Sequence, residues 1–219
     1  MKTEINIETW DRAGAYHFFK DFLVPIYTMT VELDCTEAFI YCKQNNISFF
    51  RLTTYTILRS INEIKEFRCR IENGGETPVI FDVINLLTPI KVNEDGKFVE
   101  TYVPYNEDFK AFYDDFGKRI SALNENTDSY EHMNNSDGTE GLATISCTPD
   151  LYFTSVNHTC VGNKEFVINL VNVGKVIERN NRMVMPMAVC VHHGLCDGHH
   201  ISLLVKKVEQ YLRTIIQNS

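Results

Sequence analysis

Two histidines in succession, His192 and His193, close an apolar run that begins at Val189, and Asp197 and Gly198 follow shortly after. Unperturbed imidazole titrates near pH 6.5, so a histidine held at a strand end can take a proton at neutral pH and return it. A strand sends successive side chains to opposite faces, so only one of the pair can enter a given pocket. Asp197 follows His193 by four residues. That spacing allows a tight turn in which its carboxylate supports the backbone around the base, and Gly198 lets the chain turn sharply. Asp197 is also a natural N-cap for a last helix that carries Ile201, Leu204, Val205, Val208 and Leu212 toward the core. The same stretch invites a metal reading, because imidazole and thiolate are zinc ligands and His192, His193, Cys196, His199 and His200 lie close together. Adjacent strand histidines diverge, and no second compact ligand group exists elsewhere, so no metal is expected.

Composition bounds what such a site serves. The 219 residues are 44% hydrophobic with a formal net charge of -8, enough apolar material for a substantial core in one domain over residues 1–219. Phosphate neutralisation needs concentrated Lys and Arg, so this acidic chain without a basic run is not expected to bind nucleic acid. No apolar run approaches bilayer length and no signal peptide opens the chain, so no membrane partner is expected. Seven cysteines, at 35, 42, 69, 147, 160, 190 and 196, are odd in number, scattered and without a C-x-x-C pair. That usage points to the cytoplasm, with Cys42, Cys147, Cys190 and Cys196 as small buried hydrophobes.

The elements that must position these residues follow from periodicity. Tyr16, Phe18, Phe19 and Phe22 recur at helical spacing over 14–22, and Pro25 ends that helix. A strand over 26–33 precedes a helix capped by Asp34 or Thr36 and running to about Asn46. Ser48 caps a largely buried helix over 49–64. Residues 67–71, 79–83, 87–92 and 98–103 then read as strands of an antiparallel meander. Asn106, Glu107 and Asp108 open an amphipathic helix with Phe109, Phe112, Phe116, Ile120 and Leu123 on one face. The polar stretch 124–141, with a turn-rich cluster at 134–138, is a surface loop, and strands return over 142–147, 151–156, 165–173 and 182–192. Pro186 argues against regular pairing along the whole last strand and points to a bulge or an edge. Strands and helices mixed without regular alternation give the α+β class.

The run His192-His193-Gly194-Leu195-Cys196-Asp197-Gly198 resembles the H-H-x-x-x-D-G signature of the type A chloramphenicol acetyltransferase family. Three further segments resemble that family in order: Trp10-Asp11-Arg12, the stretch from Phe98 to Pro104-Tyr105, and Ile145-Ser146. The resemblance implies a mixed, largely antiparallel sheet flanked by helices, assembled as a homotrimer with active sites at subunit interfaces. It implies acetyl-CoA as co-substrate, no metal, and direct transfer to a hydroxyl acceptor such as chloramphenicol. His193 is then the general base, its Nδ1 proton held on its own backbone carbonyl. Ser146 donates to the oxyanion, and Asp197 pairs with Arg12, whose planar fork can meet a carboxylate bidentately. Phe18, Phe19, Phe98, His158 and Asn172 fall at acceptor-pocket positions, and Lys175 is a candidate for the cofactor's phosphates.

Three of these depart from the family pattern. Phe19 replaces a tyrosine, His158 a pocket leucine, and Asn172 a threonine that orients a site water. A more polar pocket lacking the tyrosine hydroxyl predicts weaker use of chloramphenicol. Two other readings remain open: an acyltransferase of the same fold acting on another hydroxyl or thiol, as in the dihydrolipoyl acyltransferase catalytic domain with its D-H-x-x-x-D-G motif, and a trimeric ligand- or metal-binding protein without turnover.

Overall fold

The apolar run that ends in the paired histidines forms the second strand of a seven-stranded sheet. In this computed structural model the described residues are 1–132, 140–159, 165–166 and 168–214. In chain order the elements are β1 (Lys2–Glu4), α1 (Ala13–Phe19), β2 (Ile26–Asp34), α2 (Thr36–Asn45), α3 (Phe49–Glu63), β3 (Cys69–Glu72), β4 (Thr77–Phe81) and β5 (Ile84–Lys91). There follow β6 (Phe98–Val103), α4 (Phe109–Ala122), β7 (Gly141–Thr148), β8 (Ile168–Gly174), β9 (Ile177–Arg179), β10 (Arg182–His192) and α5 (Gly198–Thr214). The large sheet runs β2-β10-β8-β7-β5-β6, with β9 paired to the start of β10. Only β5–β7 and β7–β8 are parallel. The sheet is therefore mixed and largely antiparallel, as expected, and a three-stranded sheet β1-β4-β3 stands beside it.

Helices cover the apolar face. Ser48 caps α3 by accepting the Arg51 amide at 3.3 Å, and the helix buries Leu52, Tyr55, Ile57, Leu58 and Ile61. Its buried hydroxyls are partly answered within the helix, Thr56 donating to the Thr53 carbonyl and Ser60 to that of Thr56. Asp108 caps α4, which buries Phe112 and Phe116. α5 lays Ile201, Leu204, Val208 and Leu212 into the same core, against α3. No helix among the described residues is long and apolar enough to cross a membrane.

Three expectations need correction, and a fourth holds in part. α1 stops at Phe19, because the apolar side chains beyond it find no core to enter: Phe22 and Leu23 are exposed. The meander breaks between β4 and β5: both edges of β4 are taken by β1 and β3, so β5 pairs in the other sheet. Residues 151–156 form no strand. Both flanks of β7 are filled by β5 and β8, leaving that segment no ladder to join. Pro186 causes no bulge, since β10 pairs with β2 without interruption from Val184 to His192, but on its other side it takes the local edge position that the sequence allows. Met183 directs its N–H and C=O toward the β2 side, so alternation turns the Pro186 nitrogen the other way. There it falls in the gap between β9, which pairs as far as Val184, and β8, which begins at Met187.

Strand bounds elsewhere shift by a few residues. The 165–173 expectation becomes β8 from Ile168, with Phe166 bridged to Ile71 and residue 167 outside the described residues. The cluster at 134–138 and Cys160 also lie outside them. Cys42, Cys190 and Cys196 are buried and Cys147 half-buried.

Candidate active site

β10 leaves the sheet at His192, and its last ladder contact beyond is the His193 amide on the Pro25 carbonyl at 2.8 Å. The chain then turns so tightly that the Leu195 and Cys196 amides both reach the His192 carbonyl at 2.9 Å. Gly194 fits closely here: a Cβ would lie 3.0 Å from the His192 ring and 3.1 Å from the Tyr16 Cα, so a larger residue would force these neighbours to shift.

Arg12, at the start of α1, clamps this turn with all three guanidinium nitrogens. Nε donates to the Gly194 carbonyl at 3.3 Å, Nη2 to the His193 carbonyl at 3.2 Å, and Nη1 to Asp197 Oδ2 at 3.0 Å. The other carboxylate oxygen, Oδ1, accepts the His199 amide at 3.0 Å and lies 2.8 Å from His200 Nδ1. The helix cap and the ion pair, alternatives in sequence, are thus both made, one by each oxygen. Burial alone would raise the Asp197 pKa, but the Arg12 hydrogen bond, His200 and the His199 amide outweigh it and hold the carboxyl at about 2. It is ionised at neutral pH and handles no protons there.

The two histidines diverge as strand alternation requires. His192 turns into the core, where its Nδ1 accepts the Gly194 amide at 3.0 Å. Burial, helped by the neighbouring His193, pushes its pKa down to about 4, so it stays neutral. The His193 ring stacks on Phe19 with centroids 4.1 Å apart and lies 4.7 Å from the Tyr27 ring. Its Nδ1 is buried without a hydrogen-bond partner among the described residues, and its carbonyl accepts Arg12 Nη2. Phe18 is exposed and packs edge-on against Phe19.

A second group of candidates sits elsewhere on the sheet. The parallel register sets Ser146 of β7 beside Asn172 of β8, and the Asn172 amide Nδ2 donates to Ser146 Oγ at 2.7 Å. Thr148 Oγ1 in turn donates to Asn172 Oδ1 at 2.8 Å. Lys175 is exposed just past β8, and its backbone amide bonds the Leu151 carbonyl. Phe98, half exposed, opens the edge strand β6. His158 is half-buried in the segment between β7 and β8, and burial lowers its pKa.

These two groups do not meet within one chain. Asn172 pairs with Ala188, and His193 lies five residues further along β10. At about 3.3 Å per strand residue that is on the order of 16 Å, before the sideways steps to β8 and β7. Arg12, Phe18, Phe19, His193 and Asp197 therefore occupy one end of the sheet, with Ser146, Asn172, Lys175 and Phe98 away from them.

Sequence reasoning did not single out Tyr27 or Thr148 as site residues, and it weighed His200 as a metal ligand rather than as a partner of Asp197. Thr148 had a signal, since i and i+2 share a strand face, and His200 stands in the helical turn that Asp197 caps. Tyr27 had none, because its contact with His193 depends on β2 pairing with β10. No group of three or more His, Cys, Asp or Glu side chains arranged to hold a metal occurs among the described residues.

Comparison with known proteins gives one consistent result. The sequence profile of the family described as "Chloramphenicol acetyltransferase" matches residues 1–209. The chloramphenicol acetyltransferase of Proteus mirabilis is 26% identical over 207 residues, covering 94% of this chain and 93% of that protein. A Staphylococcus aureus chloramphenicol acetyltransferase is 26% identical over 212 residues, 96% of each. A solved chloramphenicol acetyltransferase structure superposes with a TM-score of 0.91 at 43% identity, covering 97% of this chain and 100% of that one. The Azotobacter vinelandii dihydrolipoamide acetyltransferase shares the fold, with a TM-score of 0.68 at 13% identity over 93% of this chain and 87% of that one.

Proposed function

Because this chain belongs to the chloramphenicol acetyltransferase family, a family of acyltransferases, we propose that it transfers an acetyl group directly from acetyl-CoA to a hydroxyl acceptor, at sites shared between copies of the chain. The observation that carries this reading is the separation of a proton acceptor, His193, from a hydroxyl donor, Ser146, on one sheet. Neither half suffices for acyl transfer, and a homotrimer in which the His193 end of one copy faces the Ser146 row of the next completes the site.

In that site His193 receives the proton of the acceptor hydroxyl as the hydroxyl forms its bond to the acetyl carbon, and returns it to the CoA sulfur when the carbon–sulfur bond breaks and the thiol departs. Phe19 and Tyr27 fix the ring plane, and Arg12 fixes the backbone that carries it. Bound acetyl-CoA supplies the thioester carbonyl whose oxygen gains negative charge, and Ser146 Oγ donates to that oxygen. Lys175, exposed just beyond the Asn172 row, suits the phosphates of the same molecule. Phe18, Phe19 and Phe98 offer apolar surface to the acceptor, with His158 beside them. The soluble cytoplasm is the proposed compartment.

The test mixes two variants, His193→Ala and Ser146→Ala, each reduced at least about 100-fold alone, and lets them exchange subunits. Shared sites regenerate about a quarter of wild-type thiol release from acetyl-CoA with chloramphenicol, since random assembly gives that fraction of interfaces an intact half from each side. A mixture as inactive as its components, despite proven exchange, refutes the shared site.

A further inference from the structure

The Asn172 amide is committed at both ends, to Ser146 Oγ at 2.7 Å and to Thr148 Oγ1 at 2.8 Å. A serine hydroxyl has one proton to give and lone pairs to accept with. When Asn172 Nδ2 occupies a lone pair, the Ser146 proton is not spent on Asn172 and is left for another acceptor. Thr148 Oγ1 lies 2.8 Å from Asn172 Oδ1 and 3.4 Å from the Val173 carbonyl, so the nearer of its two acceptors is the amide oxygen, which keeps the amide nitrogen on Ser146. All three side chains are half-buried and adjacent in the parallel register, Ser146 opposite Asn172, with Thr148 two residues along β7.

We propose that Asn172 is a positioning residue rather than a substrate ligand: it acts through Ser146, presetting that hydroxyl as a donor, with Thr148 locking the amide. The inference rests on the acyl-transfer reading above and deepens it. It replaces the sequence expectation that Asn172 contacts the acceptor or a water. A preset donor costs no reorganisation when charge develops, which is the condition under which such donors contribute most.

The decisive variant is Asn172→Asp. A carboxylate has the same shape but only accepts, so it draws the Ser146 proton toward itself and reverses the bond. Expected is a fall in kcat of about 10- to 100-fold with KM for acetyl-CoA and chloramphenicol within about twofold, a split that lost binding does not produce. Asn172→Ala falls similarly, and the double variant Ser146→Ala/Asn172→Ala is no slower than Ser146→Ala alone, because the second change acts through a group already gone. Crystal structures supply a readout independent of turnover: Ser146 Oγ leaves its single rotamer in Asn172→Ala. Additive losses in the double variant, an unimpaired Asn172→Asp, or an unchanged lone rotamer in Asn172→Ala overturns the positioning role. A fully active Ser146→Ala overturns the serine's part in the reaction as well, which separates failure of the mechanism from failure of this inference.

Discussion

The His193 turn and the Ser146 row are held in opposite ways. Around His193 the fixing bonds go to main-chain carbonyls, with Arg12 on those of His193 and Gly194, while the ring itself is held, among the described residues, by contact with the Phe19 and Tyr27 rings. Around Ser146 the fixing bond goes to the side-chain oxygen itself. A group that must take and release a proton is best constrained in position with its nitrogens left unbonded. A group that must aim a proton is best constrained through the lone pairs it does not need.

The largest expected effect falls at the ring. His193→Ala lowers kcat by about 10²- to 10⁴-fold, the range of a lost general base, with an unchanged melting temperature. Equal loss from His192→Ala would break the distinction between the two histidines. Next comes the clamp. Arg12→Ala leaves two carbonyls and a carboxylate without their donor and lowers stability by about 2 kcal/mol, with a rate loss of about tenfold as the turn loosens. Arg12→Lys does not restore it, since one ammonium cannot span three acceptors. Unchanged kinetics in Arg12→Ala would show that the turn needs no external hold.

Acid separates the inner histidine from the clamp. The His192 pKa drops from 6.5 to about 4 on folding, so the unfolded chain takes up its proton first. That contribution is complete above pH 6.5 and is lost as pH falls toward 4, by up to about 3 kcal/mol. Asp197 shifts from 3.8 to about 2, so its contribution is complete above about pH 4 and is lost as pH falls toward 2. Its side chain is 38% exposed, which reduces the magnitude to about 1 kcal/mol. Denaturant melts at each pH should show His192→Gln flattening the upper window alone and Asp197→Asn the lower alone. The smallest effect concerns the acceptor: Phe19→Tyr returns a hydroxyl to the wall and raises chloramphenicol kcat/KM by about fivefold, measured against wild type at saturating acetyl-CoA. No gain there would place the acceptor's polar contacts elsewhere.

Much of the His193 end was legible because its logic is local. Alternation sent His192 and His193 apart, and the Asp197-Gly198 step with its apolar repeat marked the start of α5. Strand order is not local. Nothing in residues 151–156 reveals that β7 already has two partners, and the pattern at 79–92 reads the same whether β4 and β5 share a sheet or not. The same blindness hid the distance between Ser146 and His193, which only the β7–β8–β10 register discloses. The Asn172 amide, placed in sequence at the acceptor, was assigned by position alone, without knowledge that Ser146 stands opposite.

The pairing of β2 with β10 joins residues 26–34 to residues 184–192, near the two ends of the chain. During synthesis β2 emerges early and stays an unpaired edge until almost all of the protein has left the ribosome. Contacts so distant in sequence pay loop-closure entropy late and slow folding. Arg12 waits for the same event, because every acceptor it clamps lies between His193 and Asp197. A chain truncated before β10, or paused in translation there, presents a sheet without its base. Catalytic competence should therefore appear in refolding only with the slowest phase, after the helices have already regained their circular dichroism.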